Sequence, residues 1–380
     1  MDFELTDIQK SLKKVARDFA LKEFPPIARE CDIKEEFPEQ IWKKSSELGF
    51  AGAHFPEEYN GANLGFLDEA IIMEELCRVD PGLGLTPFVV GFGSDVVLYH
   101  GTEEQKRKYL PGIPKGGSIS FLGSTEPGAG SDVAGIKTKA VKDGGEWVIN
   151  GQKMFITNGT IADWGIILAV TDPDEPKRHR RLSTFIVETK AEGFEATKIE
   201  GKMGLRASDT AEIAMDDVRV PEENLVGERG RGFYYIMEFF DMTRIIVAAQ
   251  AVGVAQGALD MAVKYAKDRE TFGQPLASYQ GIQFELAEMQ TRVEAARNML
   301  YKAAWGVDNG KQNIMAVAAV KWFAAEAAVK NCDRSLQIHG GYGYINDMDI
   351  ERFYRAAKLL EIYEGTKEIE KLIIARELLK

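Results

Sequence analysis

Cysteine is nearly missing from this 380-residue chain: Cys31, Cys77 and Cys332 stand far apart, with no paired spacing. That pattern excludes a disulfide framework and a zinc ribbon, and it leads us to expect a reducing compartment, the cytoplasm. Histidine is almost as scarce. His54, His100, His179 and His339 are scattered, and neither H-E-x-x-H nor C-x-x-C occurs, so no catalytic metal is expected. The chain also lacks G-x-x-x-x-G-K-[ST] and G-x-G-x-x-G, which removes the P-loop and Rossmann routes to a nucleotide. Any nucleotide cofactor must be held some other way. Positive charge is in deficit, 59 acidic residues against 47 basic for a net −12, so a polyanion would be repelled and nucleic acid is not an expected partner. No stretch approaches the roughly 18 continuous apolar residues of a membrane span, and the opening MDFELTDIQK lacks the basic-then-apolar layout of a signal peptide. Membrane insertion is therefore not expected.

What is present is the mixture of a folded globular protein, 45% hydrophobic and 28% charged. Single cores stop growing at about 250–300 residues, so this length suggests two or three domains, or one large one. Thr6 and Gln9 have capping-box spacing, and Ile8, Leu12, Val15 and Phe19 follow on one helical face until Pro25 and Pro26. Helices are also predicted over Pro38 to Leu48 and Leu67 to Val79, followed by an irregular Asp80 to Pro87. From Ser118 the texture changes to short β-type runs at Ser118 to Ser124, Trp147 to Ile149, Met154 to Thr157, Ile166 to Val170, Ser183 to Thr189 and Ala211 to Val220. The glycine-rich Pro221 to Gly232 reads as a linker. Long helices then return, with Ile282, Leu286, Met289, Val293, Ala296 and Leu300 in bundle-type steps, and with Gly253 and Gly257 placed to admit a close neighbour. The divisions are residues 1–117 (helical), 118–228 (β) and 229–380 (helical bundle).

Four segments have the composition of a site. Thr125-Glu126-Pro127-Gly128-Ala129-Gly130-Ser131-Asp132 follows an apolar strand and offers backbone N–H groups and hydroxyls to a polar ring or phosphate, or is an ordinary turn. In Met154-Phe155-Ile156-Thr157-Asn158-Gly159 an aromatic and a threonine two apart on a strand share a side, which suits a planar ring, although Phe155 equally suits a core. Gln337-Ile338-His339-Gly340-Gly341-Tyr342-Gly343-Tyr344 closes a helix running from Ile314, as a C-cap, a close backbone approach to a ligand, or both. In Ile362-Tyr363-Glu364-Gly365-Thr366-Lys367-Glu368-Ile369 a carboxylate precedes the final helix, Thr366 to Leu379, with Thr366 at the N-cap. A carboxylate held between apolar helices is where a raised, base-competent pKa can be built.

Together with Asp268-Arg269-Glu270-Thr271-Phe272-Gly273, these segments in this order resemble the acyl-CoA dehydrogenase family, continuously from the first helix to Arg376. The resemblance implies an N-terminal helical domain, a central β-barrel-like domain and a C-terminal four-helix bundle, assembled as a homotetramer that binds FAD. It places Leu122, Ser124, Thr125, Gly130, Ser131, Phe155, Ile156 and Thr157 around the flavin ring. Arg269, Phe272 and Gln280 would grip the FAD of the adjacent subunit. Gln337, Gly340 and Gly341 would contact the cofactor's adenosine half or pyrophosphate, and Thr366 and Glu368 would make the remaining FAD contacts. Ser131, Asp241, Arg244, Tyr363 and Gly365 match substrate-contacting positions, and Glu364 matches the catalytic base. The implied reaction removes the α proton of an acyl-CoA thioester to Glu364 and the β hydride to FAD, leaving an α,β-unsaturated acyl-CoA. An electron-transferring flavoprotein is the implied electron acceptor.

Two positions depart from the family pattern: Phe155 stands where many members carry tryptophan, and Lys367 where serine is common. In the family the pocket floor comes from the region matching Gly84 to Asp95 and the helix near Arg244. No Arg or Lys lies between Arg78 and Lys106, so the cationic clamp for a dicarboxylic acyl-CoA is absent there. Phe88, Val90, Gly91 and Phe92 make that stretch apolar, which points to a short, branched or alicyclic acyl group such as cyclohexane carboxyl-CoA. Asp95 is the odd acid in this stretch, either a solvent-facing helix position or a polar selector and second proton acceptor in the pocket. Lys177-Arg178-His179-Arg180-Arg181 reads as a solvated loop ahead of a CoA-phosphate grip. The competing functions are an oxygen-using flavin oxidase or monooxygenase of the same fold and a non-catalytic acyl-CoA-binding protein. The presence of Glu364 and of the full FAD set favours the dehydrogenase.

Overall fold

The computed structural model describes residues 4–380. The predicted first helix is α1 (Asp7–Glu23), opened by the Thr6/Gln9 capping box with Thr6 Oγ1 accepting the Gln9 N–H at 3.2 Å. It is followed by α2 (Ala28–Lys34), α3 (Glu39–Glu47) and α4 (Phe66–Val79). Residues 80–87, expected to be irregular, instead begin α5 (Pro81–Val89). Asp80 caps this helix by accepting the Gly82 and Leu83 N–H groups at 2.9 Å each, and Pro81 sits at the first helical position, where a missing N–H costs nothing. Arg352, far along the chain, donates to the other Asp80 oxygen at 2.8 Å. Tertiary contact thus stabilises a helix that its prolines and glycines argue against. Next come α6 (Ser94–His100) and α7 (Glu103–Tyr109).

The middle of the chain is a mixed sheet of β1 (Ser120–Gly123), β2 (Lys139–Asp143), β3 (Glu146–Thr157), β4 (Trp164–Val170), β5 (Leu182–Glu188), β6 (Phe194–Lys198), β7 (Thr210–Pro221) and β8 (Leu225–Val226). Its order is β6-β7-β3-β2-β4-β5-β8, with β1 parallel to β4. β2 meets β4 through one residue pair, Lys139 with Val170. The two runs expected at Trp147 to Ile149 and Met154 to Thr157 form one strand, β3, interrupted by register shifts at Ile149/Gly151 and Lys153/Ile156. β2 and β6 were not legible because each is charged and buries little: β2 buries Ala140 alone.

α8 (Gly232–Asp268), a short hairpin of β9 (Glu270–Thr271) and β10 (Gln274–Pro275), α9 (Gln280–Asp308), α10 (Ile314–His339), α11 (Ile350–Leu360) and α12 (Lys367–Leu378) complete the chain. α8, α9 and α10 pack on one another, and α11 and α12 pack on α10. Met289, Val293, Ala296 and Leu300 of α9 are buried, as their spacing requires. α8 is long and apolar enough to span a membrane, but 83% of that stretch is buried inside the molecule. One core joins the sheet to α6 and to Tyr235, Ile236 and Phe239 of α8, and a second joins α4 and α5 to the C-terminal helices. α8 therefore ties the three parts together, and its middle turns lie where they meet.

Candidate active site

The segment between α11 and α12 contains two consecutive left-handed residues, Glu364 (φ +53°) and Gly365 (φ +94°). For a non-glycine residue this backbone costs on the order of 1–3 kcal/mol and persists only where its surroundings enforce it. Four contacts enforce it. Lys321 of α10 donates to the Tyr363 carbonyl at 2.7 Å and also to the Gly365 carbonyl. The Lys367 N–H donates to the Glu361 carbonyl at 3.1 Å, and Thr366 caps α12 by accepting the Ile369 N–H at 3.3 Å. Gly365 is needed twice over, for its φ and because a Cβ there would fall on the Glu370 carboxylate.

Glu364 Oε2 accepts from Thr243 Oγ1 of α8 at 2.6 Å. Burial pushes the Glu364 carboxyl above the usual carboxylate range, against the Thr243 hydrogen bond and the charges of Arg244 and Lys321. Beside Thr243, Arg244 donates from Nε to Glu370 at 2.8 Å and from a terminal nitrogen to Asp241 at 2.5 Å. Glu370 is fully buried, and burial pushes its pKa up to about 6. Tyr363 donates its hydroxyl to Gln250. The fold thus assembles Asp241, Arg244, Tyr363, Glu364, Gly365 and Thr366, all singled out in the sequence, while Glu368 lies exposed on the first turn of α12. Thr243 and Lys321 were missed: one is an ordinary hydroxyl in a helix, and lysines are expected at the surface.

On the β side, Leu122 and Ser124 are buried at the end of β1. The fully buried Lys153 donates to the Ser124 carbonyl at 3.3 Å and to Glu126 at 3.0 Å. Glu126 also accepts from the Lys137 and Thr138 N–H groups at 2.6 and 2.9 Å. This anchor leaves Pro127, Gly128, Gly130, Ser131 and Asp132 exposed, and no atom lies within 4 Å of where a Gly130 Cβ would stand. Period-two alternation fails across the β3 bulge. Lys153 and Ile156 both point inward, and Phe155, at φ +59°, is 65% exposed and is not a core residue. Thr157 is half-buried. Asn158 donates to the Val89 and Ser120 carbonyls, which fastens the end of β3 to α5 and β1.

A third group surrounds a cavity of about 410 Å³ lined by Tyr265, Arg269, Thr271, Gly340, Gly341 and Tyr342, among others. Burial keeps the His339 pKa below the ordinary value, and this ring stacks on Tyr265 at 4.3 Å. Phe272 is 95% exposed at the hairpin tip, and Gln280 and Gln337 are exposed as well. Phe88 packs between two helical cores, and Gly91 bridges to Ser120. Asp95 is not solvent-facing: its carboxylate meets His54 Nε2 at 2.6 Å, and Glu69 meets the other ring nitrogen at 2.8 Å. Burial opposes the His54 imidazolium, but the two carboxylates outweigh it and hold the pKa well above the ordinary histidine value. The Lys177 to Arg181 cluster lies in the exposed segment between β4 and β5, where Arg178 pairs with Asp132 at 2.9 Å.

An exposed aromatic beside a loop of free backbone suits a flat conjugated ring. Bare glycine backbone facing an arginine across a cavity suits a pyrophosphate. These donor types suit a flavin dinucleotide held without a Rossmann turn, and with the Glu364 carboxylate raised in pKa by burial they are the parts of a flavin-dependent oxidoreductase. Residues 6–117, 122–218 and 230–379 match the family models described as acyl-CoA dehydrogenase N-terminal, middle and C-terminal domains. The chain belongs to the acyl-CoA dehydrogenase family, whose cofactor is FAD. It is 44% identical to a probable acyl-CoA dehydrogenase, YngJ, of Bacillus subtilis (strain 168) over 381 residues, covering 100% of both chains. Butyryl-CoA dehydrogenase from Megasphaera elsdenii superposes with a TM-score of 0.96 at 39% identity, again over 100% of both chains. A chain from the solved structure of an electron transferring flavoprotein of Acidaminococcus fermentans superposes with a TM-score of 0.97 at 42% identity over 100% of both.

Proposed function

We propose that this FAD-dependent oxidoreductase takes a short, branched or alicyclic acyl-CoA and that Glu364 is its base. The observation that carries the reading is the Glu364 carboxylate, held in a left-handed turn against Thr243 and raised in pKa by burial. An α C–H beside a thioester is a weak acid, so the base must meet it while the carbonyl oxygen is stabilised. Among the described residues the Glu364 N–H has no acceptor, and it is therefore free to donate to that oxygen. Such a donor is worth about 3–4 kcal/mol, and a positioned base roughly 10²–10⁴-fold. FAD supplies, when bound, the acceptor for the hydride from the β carbon. The loop from Thr125 to Ser131 with Phe155, Ile156 and Thr157 would hold its ring, Gln337, Gly340, Gly341, Thr366 and Glu368 would make further cofactor contacts, and Arg269, Phe272 and Gln280 would grip the FAD of the adjacent subunit.

Asp241, Arg244, Ser131, Tyr363 and Gly365 would line the substrate path. Phe88, Gly91 and Phe92, the last packed edge-on to Phe239 at 5.1 Å, give an apolar floor without a cation, which supports an uncharged acyl group. The likeness to butyryl-CoA dehydrogenase is in keeping with a short one. Asp95, paired with His54, is assigned to structure in this reading and not to selectivity. An electron-transferring flavoprotein is proposed as electron acceptor, and a homotetramer as the assembly.

Anaerobic titration with an acyl-CoA panel, following the visible flavin band, tests the reading. Wild type is expected to bleach most readily with short or branched thioesters and Glu364→Gln not to bleach. A preference for long straight chains would overturn the substrate class, and bleaching by Glu364→Gln would overturn the assignment of the base.

A further inference from the structure

Lys321, like Lys153, is fully buried, and neither substrate nor cofactor chemistry calls for a cation at its place. Its ammonium donates to the carbonyl oxygens of Tyr363 and Gly365, one on each side of Glu364. The first acceptor lies on the peptide plane entering Glu364 and the second on the plane leaving Gly365, so one side chain from α10 spans the two-residue turn that aims the carboxylate and frees its N–H. Two neutral amides would satisfy two carbonyls as well. A buried charge is tolerated only where other charges face it. Lys321 is faced by Glu364, by Glu370 of α12, by Arg244 of α8 and by Glu361 at the end of α11, and Asp241 joins the group through Arg244. Glu361 is occupied by Lys358 and Lys367. The remaining group holds two cations, Arg244 and Lys321, and the carboxylates of Asp241, Glu364 and Glu370. With Glu364 ionised the group carries one excess negative charge. When Glu364 takes a proton it becomes neutral.

We infer that Lys321 is a positioning residue for the base: it clamps the backbone on both sides of Glu364 and supplies the positive charge that keeps this carboxylate ionised until it receives the substrate proton. The inference rests on Glu364 being the base of the proposed reaction, and it adds a group that touches neither substrate nor flavin. Removing the cation leaves an excess of two negative charges around an ionised Glu364, so its carboxyl must hold a proton to higher pH. A lysine that only fills space makes no such demand.

The test is an infrared pH titration of the FAD-loaded enzyme, with each form subtracted from its own Glu364→Gln counterpart so that the Glu364 carboxyl alone is read. In Lys321→Met the midpoint is expected to rise by about one unit or more. Flavin bleaching by a reactive acyl-CoA is expected to slow by about 10²-fold, with binding of an unreactive CoA thioether unchanged. Lys321→Arg keeps the charge and can fork to two carbonyls, and it is expected to hold the wild-type midpoint. A Lys321→Met midpoint that stays at the wild-type position overturns the inference whatever the rate does. A Lys321→Arg midpoint displaced upward overturns it too, and that variant decides alone if the methionine form loses FAD or its cooperative melt. The titration needs no turnover, so a wild type that no acyl-CoA bleaches would sink the functional reading while the midpoints still judge the clamp.

Discussion

At the level of single residues the environment of Glu364 makes a signed prediction. The Thr243 hydrogen bond stabilises the ionised carboxylate and works against burial. Thr243→Val therefore raises the Glu364 pKa further, and the acidic limb of kcat/KM, lost as pH falls through that value, moves to higher pH. A pH profile checks this, and an unmoved limb would show that the hydroxyl does not tune the base. His54 makes a second prediction. Its folded pKa is raised, so the stability it contributes is fully present below the ordinary value of about 6.5 and is lost as pH rises through the raised one. Asp95→Asn removes one charged partner and is expected to cost about 1.5–3 kcal/mol, read by denaturant melts near neutral pH, with the deficit shrinking at high pH. Kinetics on the best substrate should be unchanged. Altered substrate preference would return Asp95 to the pocket.

At the level of elements, the fit of α8 against α4 decides stability. A Cβ at Gly253 would collide with the Glu74 carbonyl and one at Gly257 with the Arg78 carbonyl, so these glycines admit the close approach their spacing suggested. Because the obstacle is backbone, Gly253→Ala is expected to destabilise by about 1–3 kcal/mol, seen as a lower melting temperature of the FAD-loaded protein. An alanine variant of equal stability would mean that the two helices slide apart freely. Across the same junction Glu74 accepts from Arg297 at 2.9 Å and from Tyr301 at 2.9 Å, which locks α4 to α9. Amphipathic spacing made α1, α4 and α9 legible, since a helix that buries one stripe writes its period into the chain. It could not show α5, which is buried nearly all round, nor the β3 bulge that turns Phe155 outward.

At the level of the whole molecule, apolar side chains remain uncovered on one chain: Phe272 at the hairpin tip, Tyr344 after α10 and Phe284 on α9 are 95%, 85% and 59% exposed. Large apolar groups left in water mark contact surfaces, and the proposed homotetramer would cover them. A scattering mass of four chains is expected. Phe272→Asp should lower that mass and weaken FAD retention together, because the proposed cofactor grip of Arg269, Phe272 and Gln280 reaches an adjacent subunit. Loss of neither would remove the cross-subunit reading.

Residue types and their order were enough to establish the succession of helices, strands and helices and to mark the glycine-bearing loops, and the family resemblance that their motifs carry singled out Glu364 and Arg244. Periodicity, turn chemistry and motif order are local properties, and a linear chain carries them whole. Only the tertiary structure decided that Lys321 comes from α10 to grip the peptides around Glu364, that Thr243 faces the carboxylate and that Asp95 turns to His54. These partners lie 41 to 121 positions apart, a separation at which no sequence period survives. What brings them together is the burial of apolar faces on α8 and α10, and burial then sets the charge each group can carry.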